Sequence, residues 1–148
     1  VLNGNKELQE AQRTLDAEIA VWEQEIREIE DRITQLRSEY ELKKLTLLPS
    51  GQQEAEQKIA EMESNKEDKI AEIYGEDGLI ITRNQELLQP IMNKLNSVIE
   101  KLAVENNYSL VLDAASGAIG YAKGNLDITD DIIEEMESTL DVIDDQNK

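Results

Sequence analysis

Carboxylates are the one class of reactive side chain this sequence supplies in quantity. There are 33 Asp and Glu against 15 Lys and Arg, with no His and no Cys. A carboxylate pair can act as acid and base only where a pocket pushes the two pKa values apart, and nothing in the pattern suggests such a pocket. Without His and Cys the chain lacks the commonest general base, the commonest metal ligand and the thiolate nucleophile. The nearest approach to a calcium site is Asp127, Asp130 and Asp131. These lack the alternating acids, the Gly and the closing Glu of a calcium loop, and read better as acids at the positive end of a helix. Gly117, Gly120 and Gly124 have no Lys-Ser/Thr pair after them, so they mark turns and not a phosphate loop. No catalytic residue, cofactor or metal site is assigned, and the chain is read as a non-enzyme.

The other chemistry on offer is contact with apolar surface. Lys43-Lys44-Leu45-Thr46-Leu47-Leu48-Pro49 places three leucines and two lysines beside a helix break. Two readings stay open here: a tip that touches client polypeptides, or a hydrophobic staple that closes the turn. Lys43, Lys44, Leu45, Leu47, Leu48 and Pro49 are the candidate client-binding residues. Gly75 and Gly78 are candidates for a hinge, with a simple loop as the plainer alternative.

Long helices must position these residues. Leu8, Leu15, Trp22, Ile29 and Leu36 recur every seven residues, and Ile19, Ile26, Ile33 and Tyr40 follow four residues behind. That is the offset of a coiled-coil heptad, and it predicts one helix from Asn5 to Leu48 with Trp22 in its seam. Pro49-Ser50-Gly51 is read as the break, and Ser50 with Gln53 as a capping box for the next helix. Ala55, Ile59, Met62, Ile70 and Ile73 continue a thinner stripe that Lys66 and Lys69 interrupt. Those lysines either snorkel to solvent or loosen the arm. Two seamed helices joined by a short break form an antiparallel hairpin.

Beyond Gly78 the pattern changes. Leu87, Leu88, Ile91, Leu95, Val98, Ile99 and Leu102 give a broad apolar face, with Pro90 expected to bend the helix. Asn106-Asn107 ends it. Tyr108–Asp113 and Ala118–Ala122 read as two short strands of a β-hairpin, with Leu110, Val111, Leu112, Ile119 and Tyr121 as the residues of an oligomerisation head. Two strands are not a stable sheet alone, so further strands are expected from elsewhere. Thr129 is placed to cap a last helix. The fold class is therefore α+β, mostly α: a long antiparallel helical hairpin attached to a small β-rich oligomerisation head. Residues 5–90 are assigned to the arm, with its tip near 45–51. Residues 91–137, with 1–4, form the head, and 138–148 a disordered acidic tail.

Charge narrows the partners. The net charge is −18, with 9 acids and 1 base after residue 124 but 3 of each in 91–124. Nucleic acid and anionic membrane surfaces both need clustered cations, so neither is an expected partner. No apolar run reaches the length of a membrane span, so stable membrane insertion is not expected. No small-molecule substrate is indicated.

From Tyr74 to Met136 the order of motifs resembles the Skp/OmpH family of periplasmic chaperones. The residues that carry it are Tyr74-Gly75-Glu76-Asp77-Gly78, then Arg83 to Ile91, Ile99 to Ala103, Asn107 to Asp113, Tyr121-Ala122 and Asp127 to Ile133. The resemblance implies a homotrimer whose helical tentacles surround unfolded outer-membrane proteins in the periplasm. It implies an ATP-independent holdase that prevents aggregation, with no ATP or metal used. It also implies a leader already removed, and a strand ahead of the first arm that the given sequence does not show. The better-known members are basic, whereas this chain is strongly acidic. The alternative reading of the residues is a structural coiled-coil tether with an oligomerising head.

Overall fold

The structure, a computed structural model, describes the backbone of residues 5–144 and the side chains of residues 5–138. Among the described residues there are four helices: α1 (Lys6–Lys43), α2 (Pro49–Tyr74), α3 (Leu79–Glu105) and α4 (Thr129–Asp144). Two single-turn 3₁₀ segments, Ala114–Ser116 and Gly124–Leu126, lie between α3 and α4. The chain divides into two compact units, residues 13–85 and residues 1–12 with 86–148.

In the 13–85 unit, α1 and α2 pack side by side and antiparallel. The heptad series places Leu15, Ile33 and Tyr40 of α1 in the buried seam. Ile73 closes it from α2 with no exposed surface. Polar links run between the helices beside these residues. Arg37 pairs with Glu63 and the Tyr40 hydroxyl donates to Glu56. Lys66 Nζ lies 3.4 Å from Glu30, and Lys69 Nζ 2.9 Å from Glu25. The Tyr74 hydroxyl donates to Glu23 at 3.2 Å. Numbers fall along α1 as they rise along α2, which is the antiparallel register. At the start of α3, Arg83 Nε reaches Glu18 at 2.8 Å.

The first turn of this unit differs from the sequence expectation in detail. The break occupies 44–48, and Pro49 opens α2 instead of ending α1. Proline suits the first helical position, where its missing N–H would have no partner anyway. The Ser50–Gln53 box does not form: Leu48 is the N-cap, extended at φ −65°, with no side-chain bond. Gln52 serves instead, its Nε2 donating to Lys44 O at 2.8 Å and to Leu47 O at 3.3 Å. At the other end, a Cβ on Gly75 would lie 2.5 Å from Ala71 O, and one on Gly78 would lie 2.6 Å from Ile73 O. The turn between α2 and α3 is therefore a close backbone-on-backbone crossing that only glycine permits.

In the other unit, Ile91, Leu95 and Val98 of α3 pack on Ile132 and Met136 of α4. Leu8 and Ala11 of α1 and Ile99, Leu102 and Ile128 line the edges of this core. Ion pairs beside it include Glu7–Lys94 at 2.6 Å, Lys101–Glu135 at 2.6 Å and Lys6–Glu137 at 3.2 Å. α3 runs unbroken through Pro90. It ends at the Asn106-Asn107 pair: Asn107 takes the left-handed conformation (φ 57°), and Tyr108 N donates to Ala103 O at 2.8 Å. That is a Schellman C-cap with Asn in the glycine position.

The β-rich head is not seen. Among the described residues there is no strand, and Tyr108–Asp113 and Ala118–Ala122 are irregular. The physical reason is that a strand needs a neighbouring backbone to bond, and among the described residues none lies alongside these segments as a ladder partner. The fold is helical, with a 3₁₀-punctuated loop where the β-hairpin was expected. Thr129 is not the cap of α4. Ile128 holds that position, its O accepting from Ile132 N at 3.0 Å, and Asp127 just before it accepts from Thr129 N at 3.0 Å. Hydrogen bonds from Thr129 hold the Asp127 carboxyl below its ordinary pKa. α4 continues to Asp144, so the tail expected from residue 138 begins inside a helix. Residues 1–4 and 145–148, assigned to head and tail, lie outside the described residues.

Candidate functional site at the hairpin tip

The tip of the 13–85 unit combines exposed leucines with local positive charge. Leu45 is 98% exposed and Leu48 75%. A third leucine, Leu42, is 82% exposed. It falls outside both heptad series of α1, which was the signal that could have marked it. Leu47 turns inward: a Cβ on Gly51 would lie 3.3 Å from its Cδ2. The staple reading therefore describes Leu47 alone, and Leu42, Leu45 and Leu48 are left facing water. Single exposed leucines are ordinary, but a cluster of them is not.

Local charge differs from that of the chain as a whole. From Leu42 to Gln53 the charged residues are Lys43 and Lys44, within a chain of net charge −18. Lys44 Nζ is 3.7 Å from Glu41 and 5.3 Å from the centre of the Tyr40 ring, which holds its stem against α1. Lys43 and Pro49 are exposed. The tip backbone is tied by internal bonds, with Thr46 N and Leu47 N donating to Lys43 O at 2.9 and 3.0 Å and Thr46 Oγ1 donating to the same oxygen at 2.8 Å. The leucines are thus presented on an ordered turn. Just below, the hollow lined by Arg37, Tyr40, Glu56, Ile59 and Glu63 is open to solvent. Hydrogen bonding to Glu56 pushes the Tyr40 phenol up to about 12.

The other candidates lie apart from the tip in the chain. Gly75 and Gly78 form the crossing turn described above, where Gly78 N also donates to Gly75 O at 2.9 Å. In the loop before α4, Leu110, Leu112 and Tyr121 are exposed, and Val111 and Ile119 are half-buried. Leu126 adds to this apolar surface. Trp22, read as core, is half-buried.

No described helix is long and apolar enough to cross a membrane. No curated protein matches the sequence. A family model described as "Outer membrane protein (OmpH-like)" matches residues 1–136 of the 148. The match takes in both units and the tip, and the chain belongs to the OmpH-like outer membrane protein family, which is of chaperone and not of enzyme type.

Proposed function

We propose that this protein is an ATP-independent holdase that binds unfolded outer-membrane proteins in the periplasm and prevents their aggregation. The observation that carries the reading is the tip, where Leu42, Leu45 and Leu48 stand exposed beside Lys43 and Lys44. Membership of the OmpH-like family supports it. A holdase must touch apolar polypeptide weakly, at several points and without sequence preference. Several tips acting together supply this through multivalency. We further propose that the protein works as a homotrimer. Leu110, Leu112 and Tyr121 are the residues that other copies would cover, because they are apolar and exposed in the single chain. The acidic surface keeps a loaded complex soluble by repulsion.

The test is dilution of a urea-unfolded outer-membrane β-barrel into buffer with and without excess protein, followed by light scattering. Suppressed scattering, with no binding to the folded barrel, is the expected result. Unchanged scattering from a folded, trimeric sample would overturn the reading and favour a coiled-coil tether.

A further inference from the structure

The seam of the hairpin has a polar interruption built into its middle. On α2 the residues at alternating spacings of four and three are Ala55, Ile59, Met62, Lys66, Lys69 and Ile73. Lys66 and Lys69 therefore occupy the two seam positions between Met62 and Ile73. Their side chains are 30% and 25% exposed, while Ile70, off the register, faces out. Their ammonium groups reach Glu30 and Glu25, which flank the seam residues Ile29 and Ile26 of α1. Lys69 also meets Glu72, at 3.2 Å. Elsewhere the seam is closed by carbon: Ile33 and Tyr40 on one side of the interruption, Leu15 and Ile73 on the other, are all buried.

We propose that this interruption is a salt-operated gate. As ionic strength rises, α1 and α2 part locally at Lys66 and Lys69 and uncover the apolar face from Trp22 to Ile29, while both helices stay helical. Two properties follow from the chemistry. Partly exposed ion pairs are weakened by salt, because the Debye length falls from ~10 Å at 0.1 M to ~3 Å at 1 M. Burial of carbon is not weakened in this way, so the seam on either side holds and the opening stays local. The lysine stems cover the α1 face only while their ammonium groups are drawn across to the carboxylates. The use of the uncovered face, as an additional contact for apolar polypeptide, rests on the holdase reading. The opening itself does not.

Trp22 is the single tryptophan and lies at one end of the face to be uncovered. The experiment therefore uses the full chain without any client. Its emission maximum, acrylamide quenching and far-ultraviolet circular dichroism are followed from about 0.05 to about 1 M NaCl, where the Debye length falls to ~3 Å, comparable to the ion-pair separations themselves. The expected result is a shift of emission to longer wavelength with stronger quenching and unchanged ellipticity. In the K66L/K69L variant, which completes the apolar seam, emission stays at short wavelength at every salt concentration. In E25Q/E30Q, which keeps the lysines but removes the carboxylates they reach, emission is already at long wavelength in low salt and does not move. Constant emission from the wild-type chain would overturn the proposal. So would a shift accompanied by loss of ellipticity, or a salt response that survives in both variants. Because no client is present, a failed aggregation assay leaves this result intact.

Discussion

Asn5 and Met136 are 131 positions apart, yet the Asn5 amide donates to the Met136 sulfur at 3.6 Å. Both are buried, Met136 with no exposed surface. Asn5 Oδ1 accepts from Leu8 N at 3.1 Å and so caps the start of α1. One side chain thus starts a helix and touches the centre of the core that α4 closes. Replacing Asn5 with Ala removes the cap, worth ~1 kcal/mol, and strips the sulfur of its donor. Met136→Ala leaves a cavity in the same core and costs more, ~2–5 kcal/mol. Urea unfolding should rank the two variants in that order, below the wild-type chain. Asn5→Ser, which keeps a capping oxygen, should fall between wild type and Asn5→Ala.

The turn between α2 and α3 makes a second prediction. A Cβ at Gly78 would meet three backbone atoms between 2.6 and 2.9 Å away, and one at Gly75 would meet Ala71 O at 2.5 Å. Backbone cannot move aside as a flexible side chain can. Gly78→Ala and Gly75→Ala should each cost ~1–3 kcal/mol, the range for overpacking. Gly120→Ala, with nothing within 4 Å of its Cβ, should leave the melting temperature where it is. A proposed hinge at Gly75 and Gly78 then has a specific cost of motion: opening the turn breaks the 2.9 Å bonds of Gly75 N to Ala71 O and Gly78 N to Gly75 O. Amide exchange at these two positions measures how often that happens.

Tyr40 should respond to alkali. Its phenol is pushed up to about 12, first by its hydrogen bond to Glu56 and then by burial and the charges of Glu56 and Glu41. The folded state therefore favours the neutral phenol. The stability this provides is complete below the ordinary tyrosine pKa of about 10 and is lost as pH rises through about 12. Ultraviolet titration of the tyrosinates should show a late step that Tyr40→Phe removes. The loss of hairpin structure that accompanies that step should also disappear in the variant. A Tyr40 step centred near pH 10, the midpoint of an unperturbed tyrosine, would show that the Glu56 contact is not maintained.

What could be read from the sequence was what a helix decides by itself. The heptad spacing of α1 locates Leu15, Ile33 and Tyr40, and all three are buried. The Asn106-Asn107 helix end is likewise local, since one left-handed residue closes it. Where two local signals compete, the pattern does not decide between them: Pro49 takes the first turn of α2, and the Ser50 box then has no helix end to cap. Strands are harder still. Tyr108, Leu110 and Leu112 alternate as a strand would, but β-propensity only becomes structure against a partner backbone. Among the described residues there is none, and these residues stand exposed. Lys66 and Lys69 were visible as interruptions of a stripe. Their place inside the seam depends on Glu30 and Glu25 opposite, which no local pattern on α2 specifies.

The tip yields the prediction that bears most directly on function. Leu42, Leu45 and Leu48 bury little surface, so Ser at all three positions removes few folded-state contacts. Exposed substitutions of this kind usually change stability by less than ~0.5 kcal/mol each. The triple variant should therefore melt as the wild-type chain does. Leu47→Ser should not, because Leu47 packs against the first turn of α2 at Gly51. In the scattering assay the order reverses. The triple variant should suppress aggregation of the unfolded barrel several-fold less well, because each arm loses its apolar contact and a multivalent complex weakens at every arm together. Lys43→Glu with Lys44→Glu tests the charge separately: if the basic spot attracts clients, suppression should weaken at low salt and recover toward wild type as salt screens the repulsion. A triple variant that suppresses aggregation as fully as the wild type would remove the tip from the mechanism and shift attention to the face between Trp22 and Ile29.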